Sequence, residues 1–165
     1  MAMGRLFQNA LDSLSRSISH KRYDSHSNIP NHRKIVYLSP SKALCQERYN
    51  DWSRRLSQIN PTIECAMITG DSSESNGSIR DVASAHVILT TPEKWDSITR
   101  KWTDHLYLIG SVKLLLVDEV HLIGDKSRGA CLEAIICRMK TVQRAAKARN
   151  GIAHHSSEDE ERLSR

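Results

Sequence analysis

The sequence of 165 residues is 39% hydrophobic and 26% charged, which fits a soluble globular domain or part of a larger one. No apolar run approaches the roughly 20 residues of a membrane-spanning helix. No charged-then-apolar leader opens the chain, so we expect neither membrane insertion nor secretion. The net charge of +5 is uneven, because residues 1–60 carry ten Lys/Arg against four Asp/Glu, and residues 61–165 carry fourteen against fifteen. The basic first third favours a polyanionic partner, with an ordinary solvated surface as the alternative.

The first half of the chain alternates between segments with helical and strand-like patterns. Apolar residues spaced three and four apart predict helices, and short β-prone runs stopped by Ser-Pro or Asn-Pro predict strands. In chain order, the predicted elements are an amphipathic helix over residues 3–18, a polar loop over residues 19–33, a strand over Lys34–Leu38, a helix over Lys42–Gln58, a strand over Thr62–Ile68 and a polar loop that extends through Ser78.

The second half continues the same alternation. Pro92 is suited to be the first residue of a helix, because a helix makes no use of an amide at that position. The predicted elements are a short helix around Ile79–Ala83, a strand over His86–Thr90, a helix over Glu93–Lys101, an apolar strand over Lys113–Asp118, a long helix over Gly129–Lys147 and a disordered polar tail over residues 151–165.

This order of elements predicts an α/β fold. Strands that are nearly continuous apolar runs, alternating with helices, are typical of a parallel sheet with helices on both faces. Ligands of such sheets bind at the carboxyl ends of the strands. Each motif considered below directly follows a predicted strand, where that rule places chemistry.

The four cysteines are far apart in the sequence. Cys45, Cys65, Cys131 and Cys137 form no CxxC pair, so the spacing does not favour a zinc site, and disulfides would need an oxidising compartment. We expect each cysteine to lie in the core as a small hydrophobic residue.

The string Asp118-Glu119-Val120-His121 is the strongest chemical signal. Its apolar strand carries Asp118 to a carboxyl end, where a carboxylate can bind Mg²⁺ directly or through water, and the metal bridges nucleotide phosphates. Glu119 could orient and deprotonate an attacking water, and His121 could report the phosphate state by hydrogen bonding. The alternative is a buried strand that ends in two solvated acids.

With this string the sequence resembles the DExH-box superfamily-two helicases, and further motifs agree in the expected order. Ser39-Pro40-Ser41-Lys42 resembles motif Ia, Thr69-Gly70-Asp71 a short backbone-contacting turn, and Thr90-Thr91-Pro92-Glu93 motif Ib. Helix-starting amides, hydroxyls and a lysine in such loops can hold phosphates of a nucleic acid strand. Capped helix starts are the alternative interpretation. The resemblance assigns nucleic-acid contacts to Pro40, Ser41, Lys42, Gly70, Thr90, Thr91 and Pro92.

Longer strings narrow the resemblance to one branch. Thr91-Pro92-Glu93-Lys94-Trp95-Asp96 and its continuation through Trp102 resemble the branch that includes meiotic crossover, spliceosomal and archaeal repair helicases. Both tryptophans are expected to pack rather than stack on bases. Arg128 and Gly129 resemble the loop after motif II, which in relatives lies against the nucleic-acid face.

The sequence departs from the family pattern in one respect. It contains no phosphate loop of the form GxxxxGK followed by Ser or Thr, and Gly4-Arg5 is the nearest string. Residues 1–150 are therefore expected to form a partial RecA-like ATP-binding domain that lacks its phosphate loop.

The resemblance implies a fragment of an ATP-dependent DNA helicase motor, inactive alone. The intact family uses ATP and Mg²⁺, unwinds 3′ to 5′ and acts on single-stranded or branched DNA with a second RecA-like lobe. Meiotic recombination in the nucleus is the implied setting, with no membrane involved. A catalytically dead module that binds nucleic acid or protein is the alternative, and an unstable fragment is a third possibility.

Overall fold

A computed structural model of the chain describes residues 33–70, 82 and 84–145. The predicted helix over residues 3–18, most of the loop before the first strand, the loop of residues 71–78 and the tail lie outside the described residues. Most of the short helix predicted around Ile79–Ala83 also lies outside them.

The described strands form one parallel sheet. They are β1 (Lys34–Leu38), β2 (Cys65–Ile68), β3 (Val87–Thr90) and β4 (Val112–Val117), in the order β2-β3-β1-β4. Each adjacent pair is parallel. This arrangement confirms the predicted fold class and places all four carboxyl ends along one edge of the sheet.

The helices follow the strands as predicted, with two additions. They are α1 (Lys42–Ile59), α2 (Pro92–Arg100), α3 (Leu106–Gly110), a 3₁₀ helix (Val120–Gly124) and α4 (residues 129–145). Helix α3 and the 3₁₀ helix were not predicted, because five residues are too few to display a helical repeat.

Strand β2 begins three residues later than predicted. The Asn60 Oδ1 atom accepts a hydrogen bond from the Thr62 amide at 3.0 Å, and the Asn60 carbonyl accepts one from the Ile63 amide at 3.1 Å. These bonds form a turn after α1, so the β-prone residues Thr62 and Ile63 are used to close the turn rather than to extend the strand.

Alternate strand residues build two separate cores on the two faces of the sheet. On one face, Tyr37, Leu89 and Leu116 pack against Cys45 and Leu56 of α1. The opposite face packs against α2, α3 and α4, and its core includes Val36, Leu38, Ile88, Trp95, Ile98, Leu108, Leu132, Ile135 and Met139. Trp95 is fully buried and Trp102 is partly buried against the same core, which confirms the packing role predicted for both.

A buried carboxylate joins two of the helices on the second face. Asp96 of α2 pairs with Arg138 of α4 at 2.8 Å and with Arg100 at 2.6 Å. Burial pushes the pKa of Asp96 upward, but hydrogen bonds from Arg138 and Arg100 outweigh it and hold the pKa below its usual value. The ion pairs thereby fix α4 against α2.

The cysteines only partly follow the core prediction. Cys45 is buried, Cys65 and Cys131 are half-buried, and Cys137 is exposed. The prediction was wrong for Cys137, because Ile135 and Met139 occupy the buried side of α4 and position 137 falls on its outer side. Within the described ranges, no helix is long and apolar enough to cross a membrane.

Lys34 is a buried charge at the amino end of β1. Its side chain is 2% exposed, and its ammonium donates a hydrogen bond to the Ala85 carbonyl. Burial lowers the pKa of Lys34 to about 8, although the nearby Glu64 carboxylate acts in the opposite direction. The folded chain therefore binds fewer protons here than the unfolded chain between about pH 8 and 10.5.

We expect this linkage to appear when Lys34→Met is compared with the unchanged chain. The free energy of unfolding of the unchanged chain, relative to the variant, should rise by up to about 3 kcal/mol from pH 8 to 10.5. Urea unfolding at several pH values measures this difference, in which all other titrating groups cancel. A difference that stays constant across the window would contradict the lowered pKa.

Candidate nucleotide and nucleic-acid site

The carboxyl edge of the sheet brings the predicted motifs together. The Ser39 amide, just after β1, donates to the Thr90 carbonyl at 2.8 Å, and the Asp118 amide, just after β4, donates to the Leu38 carbonyl at 3.0 Å. These bonds extend the ladders by one residue on both sides of β1. They hold the starts of three loops in line, so the loop residues share one surface.

Asp118 is held by donors from two different elements. The Tyr37 hydroxyl donates to Asp118 Oδ2 at 2.5 Å, and the Glu119 amide donates to Asp118 Oδ1 at 3.0 Å. Burial and the bond to Asp118 raise the pKa of Tyr37 well above its ordinary value, so the phenol remains the proton donor. Each carboxylate oxygen retains a lone pair for a further ligand.

Glu119 and His121 lie together on the exposed side of this corner. Glu119 has a left-handed backbone with φ 51° and ψ 48°, which costs roughly 1–2 kcal/mol for a residue with a Cβ. Its Oε2 atom lies 3.1 Å from His121 Nδ1. The bend turns the chain from β4 into the 3₁₀ helix and leaves both side chains accessible to a ligand.

The acid corner fits a magnesium ion that is shared with a nucleotide. Among residues 33–70, 82 and 84–145, no three His, Cys, Asp or Glu side chains are grouped so that they could hold a metal by themselves. Mg²⁺ commonly uses one or two carboxylates together with water and nucleotide phosphates. Asp118 has the oxygens for such a role, and Glu119 is the acid beside it.

The loops after β1 and β2 meet beside Lys42. Ser41 caps α1, accepting the Leu44 amide on its hydroxyl at 3.2 Å, so the capped helix start that was the alternative interpretation of this loop is present. A Cβ atom built on Gly70 would lie 3.9 Å from Lys42 Nζ. The structure therefore brings Ser41, Lys42 and Gly70 to one surface, although 28 positions separate the last two in the sequence.

The residues after β3 lie at the same edge, but they are buried, whereas Ser41 and Lys42 are exposed. The Thr90 hydroxyl is buried and donates to the Ile68 carbonyl at 2.6 Å, so it joins β3 to β2. Thr91 and Pro92 are also buried, and Pro92 is the first residue of α2, as predicted. In this structure the helix start is at the edge, while the two threonine side chains face inward.

Arg128 links three parts of the edge. One guanidinium nitrogen donates to the Pro40 carbonyl at 2.8 Å, and Arg128 Nε lies 3.6 Å from Glu93 Oε1. Arg128 therefore connects the loop after β1, the first turn of α2 and the loop before α4. The contact of Arg128 with Glu93 and that of Tyr37 with Asp118 were not predicted from the sequence. For Tyr37, the sequence did contain one indication, an aromatic residue with a polar tip inside an apolar strand.

The loop before α4 is shaped by Asp125 and Gly129. Asp125 Oδ1 accepts the Ser127 and Arg128 amides at 2.8 and 2.9 Å. Bonds from the Ser127 hydroxyl and these amides lower the pKa of Asp125. Gly129 packs so closely on the 3₁₀ helix that a Cβ atom would lie 2.2 Å from the Ile123 carbonyl oxygen. Only glycine fits there without movement of the backbone.

Comparison with known proteins identifies the family to which this edge belongs. The family described as DEAD/DEAH box helicase matches residues 9–153. The chain belongs to the DEAD/DEAH box helicases. Its Asp-Glu-Val-His corner and its parallel sheet are thus parts of a helicase domain.

Two related helicases show how much of the sequence is similar. "Probable ATP-dependent DNA helicase HFM1" of Homo sapiens is 47% identical over 110 residues, which cover 67% of this chain and 7% of that protein. "ATP-dependent DNA helicase MER3" of Saccharomyces cerevisiae is 44% identical over 112 residues, covering 68% and 9%. The chain thus spans less than a tenth of these curated relatives.

The structural likeness supports the fold. The crystal structure of the DUF1998 helicase MrfA superposes with a TM-score of 0.60 at 23% identity, covering 70% of this chain and 18% of that one. At this identity the match shows that the two share a RecA-like helicase fold.

The close contact of Gly129 generates a stability prediction. Gly129→Ala should lower the free energy of unfolding by about 1–3 kcal/mol, because the methyl group displaces the Ile123 carbonyl or the start of α4. Gly124→Ala is the matched control, since no atom lies within 4 Å of its added Cβ. Urea unfolding of both variants measures the effect, and equal stabilities would contradict the tight packing.

Proposed function

We propose that this chain is the part of the first RecA-like lobe of an ATP-dependent DNA helicase that binds nucleic acid and the metal ion. The observation that carries the proposal is the meeting of the loops after all four parallel strands at one edge. Asp118 and Glu119 follow β4, while Lys42 and Gly70 lie where the loops after β1 and β2 meet. The acids suit a metal and nucleotide, and the basic loop suits a phosphate backbone.

At the acid corner we assign Asp118 to the magnesium ion and Glu119 to the attacking water. When bound, Mg²⁺ supplies charge neutralisation for the nucleotide phosphates. Glu119 is half exposed beside Asp118, where its carboxylate can accept a proton from water. His121, in contact with Glu119, is positioned to respond to changes at that carboxylate.

At the basic loop we assign strand-phosphate contacts to the start of α1. The amides of that helix start and the Lys42 ammonium attract anions. Pro40, Gly70, Thr91, Pro92 and Gly129 shape the same surface through their backbones, and Thr90 supports it from beneath. Arg128 holds the Pro40 loop in place at this surface, and its guanidinium is a further cation near the bound nucleic acid strand.

DNA as the substrate is supported by the HFM1 and MER3 relatives, which are named as DNA helicases. By the family resemblance, the intact motor would move 3′ to 5′ with a second RecA-like lobe, on single-stranded or branched DNA. Meiotic recombination in the nucleus is the corresponding setting. These assignments concern the whole helicase, of which this chain covers a small part.

The proposed strand contact predicts binding of single-stranded DNA without ATP. Fluorescence anisotropy with a labelled oligonucleotide should show a complex that weakens as salt increases. Lys42→Ala should weaken it and reduce the salt slope by about 0.7, the value for one contact to a single strand.

Lys140→Ala is the matched control for that measurement. Lys140 is exposed on α4, near the end at which Gln143 donates to the Val112 carbonyl, on the opposite edge of the sheet. The control should bind as the unchanged chain does. Equal binding by Lys42→Ala would remove the assignment of that lysine.

The missing phosphate-loop string predicts that these 165 residues alone hydrolyse no ATP. Without its amides and lysine, the phosphates lose much of their electrostatic stabilisation. A phosphate-release assay with DNA should give only background. Turnover that Glu119→Gln abolishes would contradict this expectation.

A nucleic-acid-binding module without catalysis is the second candidate. The net charge of +6 over residues 1–60 favours it, because such a basic segment attracts a polyanion without nucleotide. The two candidates differ in the metal. A module that binds only nucleic acid needs no divalent ion at Asp118, whereas the motor does.

A further inference from the structure

We propose that Tyr37 is a positioning residue that holds the Asp118 carboxylate in one rotamer, ready for a metal ion. The inference deepens the proposed function and rests on its assignment of Asp118 to the metal. It adds a side chain from β1, outside the motifs that follow the strands. The evidence is the contact between the Tyr37 hydroxyl and Asp118 Oδ2 at 2.5 Å.

The sheet register explains why this tyrosine reaches Asp118. Tyr37 of β1 is aligned with Leu116 of β4, and both side chains lie in the core beneath α1. Side chains alternate along a strand, so Asp118, two residues after Leu116, lies on the same side. The phenol ring extends from the core toward the carboxyl edge, and its hydroxyl ends at the acid.

The ring itself cannot move easily. Tyr37 is 2% exposed, and its ring centroid lies 4.9 Å from that of Trp52 on α1, at an interplanar angle of 58°. Arg48, one turn earlier on α1, also interacts with the hydroxyl. The donor to Asp118 is therefore fixed by the packing of α1 on the sheet.

The two donors leave the carboxylate oriented but still available. Tyr37 occupies one lone pair of Oδ2, and the Glu119 amide occupies one of Oδ1. Each oxygen has a second lone pair. Outer partners that orient a ligating carboxylate raise metal affinity, because the ligand needs no further ordering when the ion arrives.

The test uses isotope-labelled chain and Tyr37→Phe, which keeps the ring and removes only the donor. Side-chain couplings measured by NMR should show one Asp118 χ1 rotamer in the unchanged chain without metal, and rotamer averaging in the variant. Tyr49→Phe is the matched control, because Tyr49 lies on α1 and is packed against the same core, and this change should leave Asp118 unchanged. Urea unfolding establishes that each variant is folded.

A Mn²⁺ titration in the presence of ATP supplies the second readout, because the proposed site shares its metal with nucleotide phosphates. Paramagnetic broadening of the Asp118 and Glu119 amides should require about two- to tenfold more Mn²⁺ in Tyr37→Phe, the factor corresponding to one net hydrogen bond. The same broadening in both chains, with one Asp118 rotamer in each, would overturn the proposal.

The failure of the metal assignment is distinguishable from the failure of positioning. If Mn²⁺ broadens neither amide in the unchanged chain, the proposed metal role of Asp118 is wrong. The positioning role of Tyr37 then fails too, because Asp118 is not a metal ligand. If Mn²⁺ binds but Asp118 already averages between rotamers in the unchanged chain, positioning alone is wrong. This last measurement needs no variant and so does not depend on how Tyr37→Phe folds.

Discussion

The pairing of β1 between β3 and β4 is the interaction on which the rest of the structure depends. All five residues of β1 are buried. Both ladders continue one residue beyond a strand end, because the Ser39 amide bonds to the Thr90 carbonyl and the Asp118 amide bonds to the Leu38 carbonyl. Because every pairing is parallel, the loops that leave the strands emerge at one edge. A shift of β1 by one residue would turn Tyr37 to the other face and separate it from Asp118.

The edge is organised by charge as well as by backbone. Acidic groups follow β4, whereas Lys42 and Gly70 lie over the β1 and β2 side. Arg128 connects the intervening loops through Pro40 and Glu93. Under the proposed function, a metal with its nucleotide and a nucleic acid strand would bind to neighbouring regions of one surface, and Arg128 joins the loops between them.

Local patterns were sufficient for much of the fold. The helix from Lys42, the start of α2 at Pro92 and the apolar strand before Asp118 were all predicted, because caps, proline positions and periodicity act within a few residues. The start of β2 was predicted too early, because Asn60 accepts hydrogen bonds from the Thr62 and Ile63 amides and so holds these two residues in a turn. The exposure of Cys137 was missed too, because which side of α4 is buried depends on what it packs against.

The sequence by itself determined the α/β alternation, the acids at a strand end and membership of the DEAD/DEAH box helicases, because these are properties of short contiguous strings. The tertiary structure decided which side chains meet. Tyr37 reaches Asp118 across 81 positions, and Arg128 reaches Pro40 across 88. Such contacts depend on strand order and register, which bring distant residues within hydrogen-bonding distance and leave no trace in local periodicity.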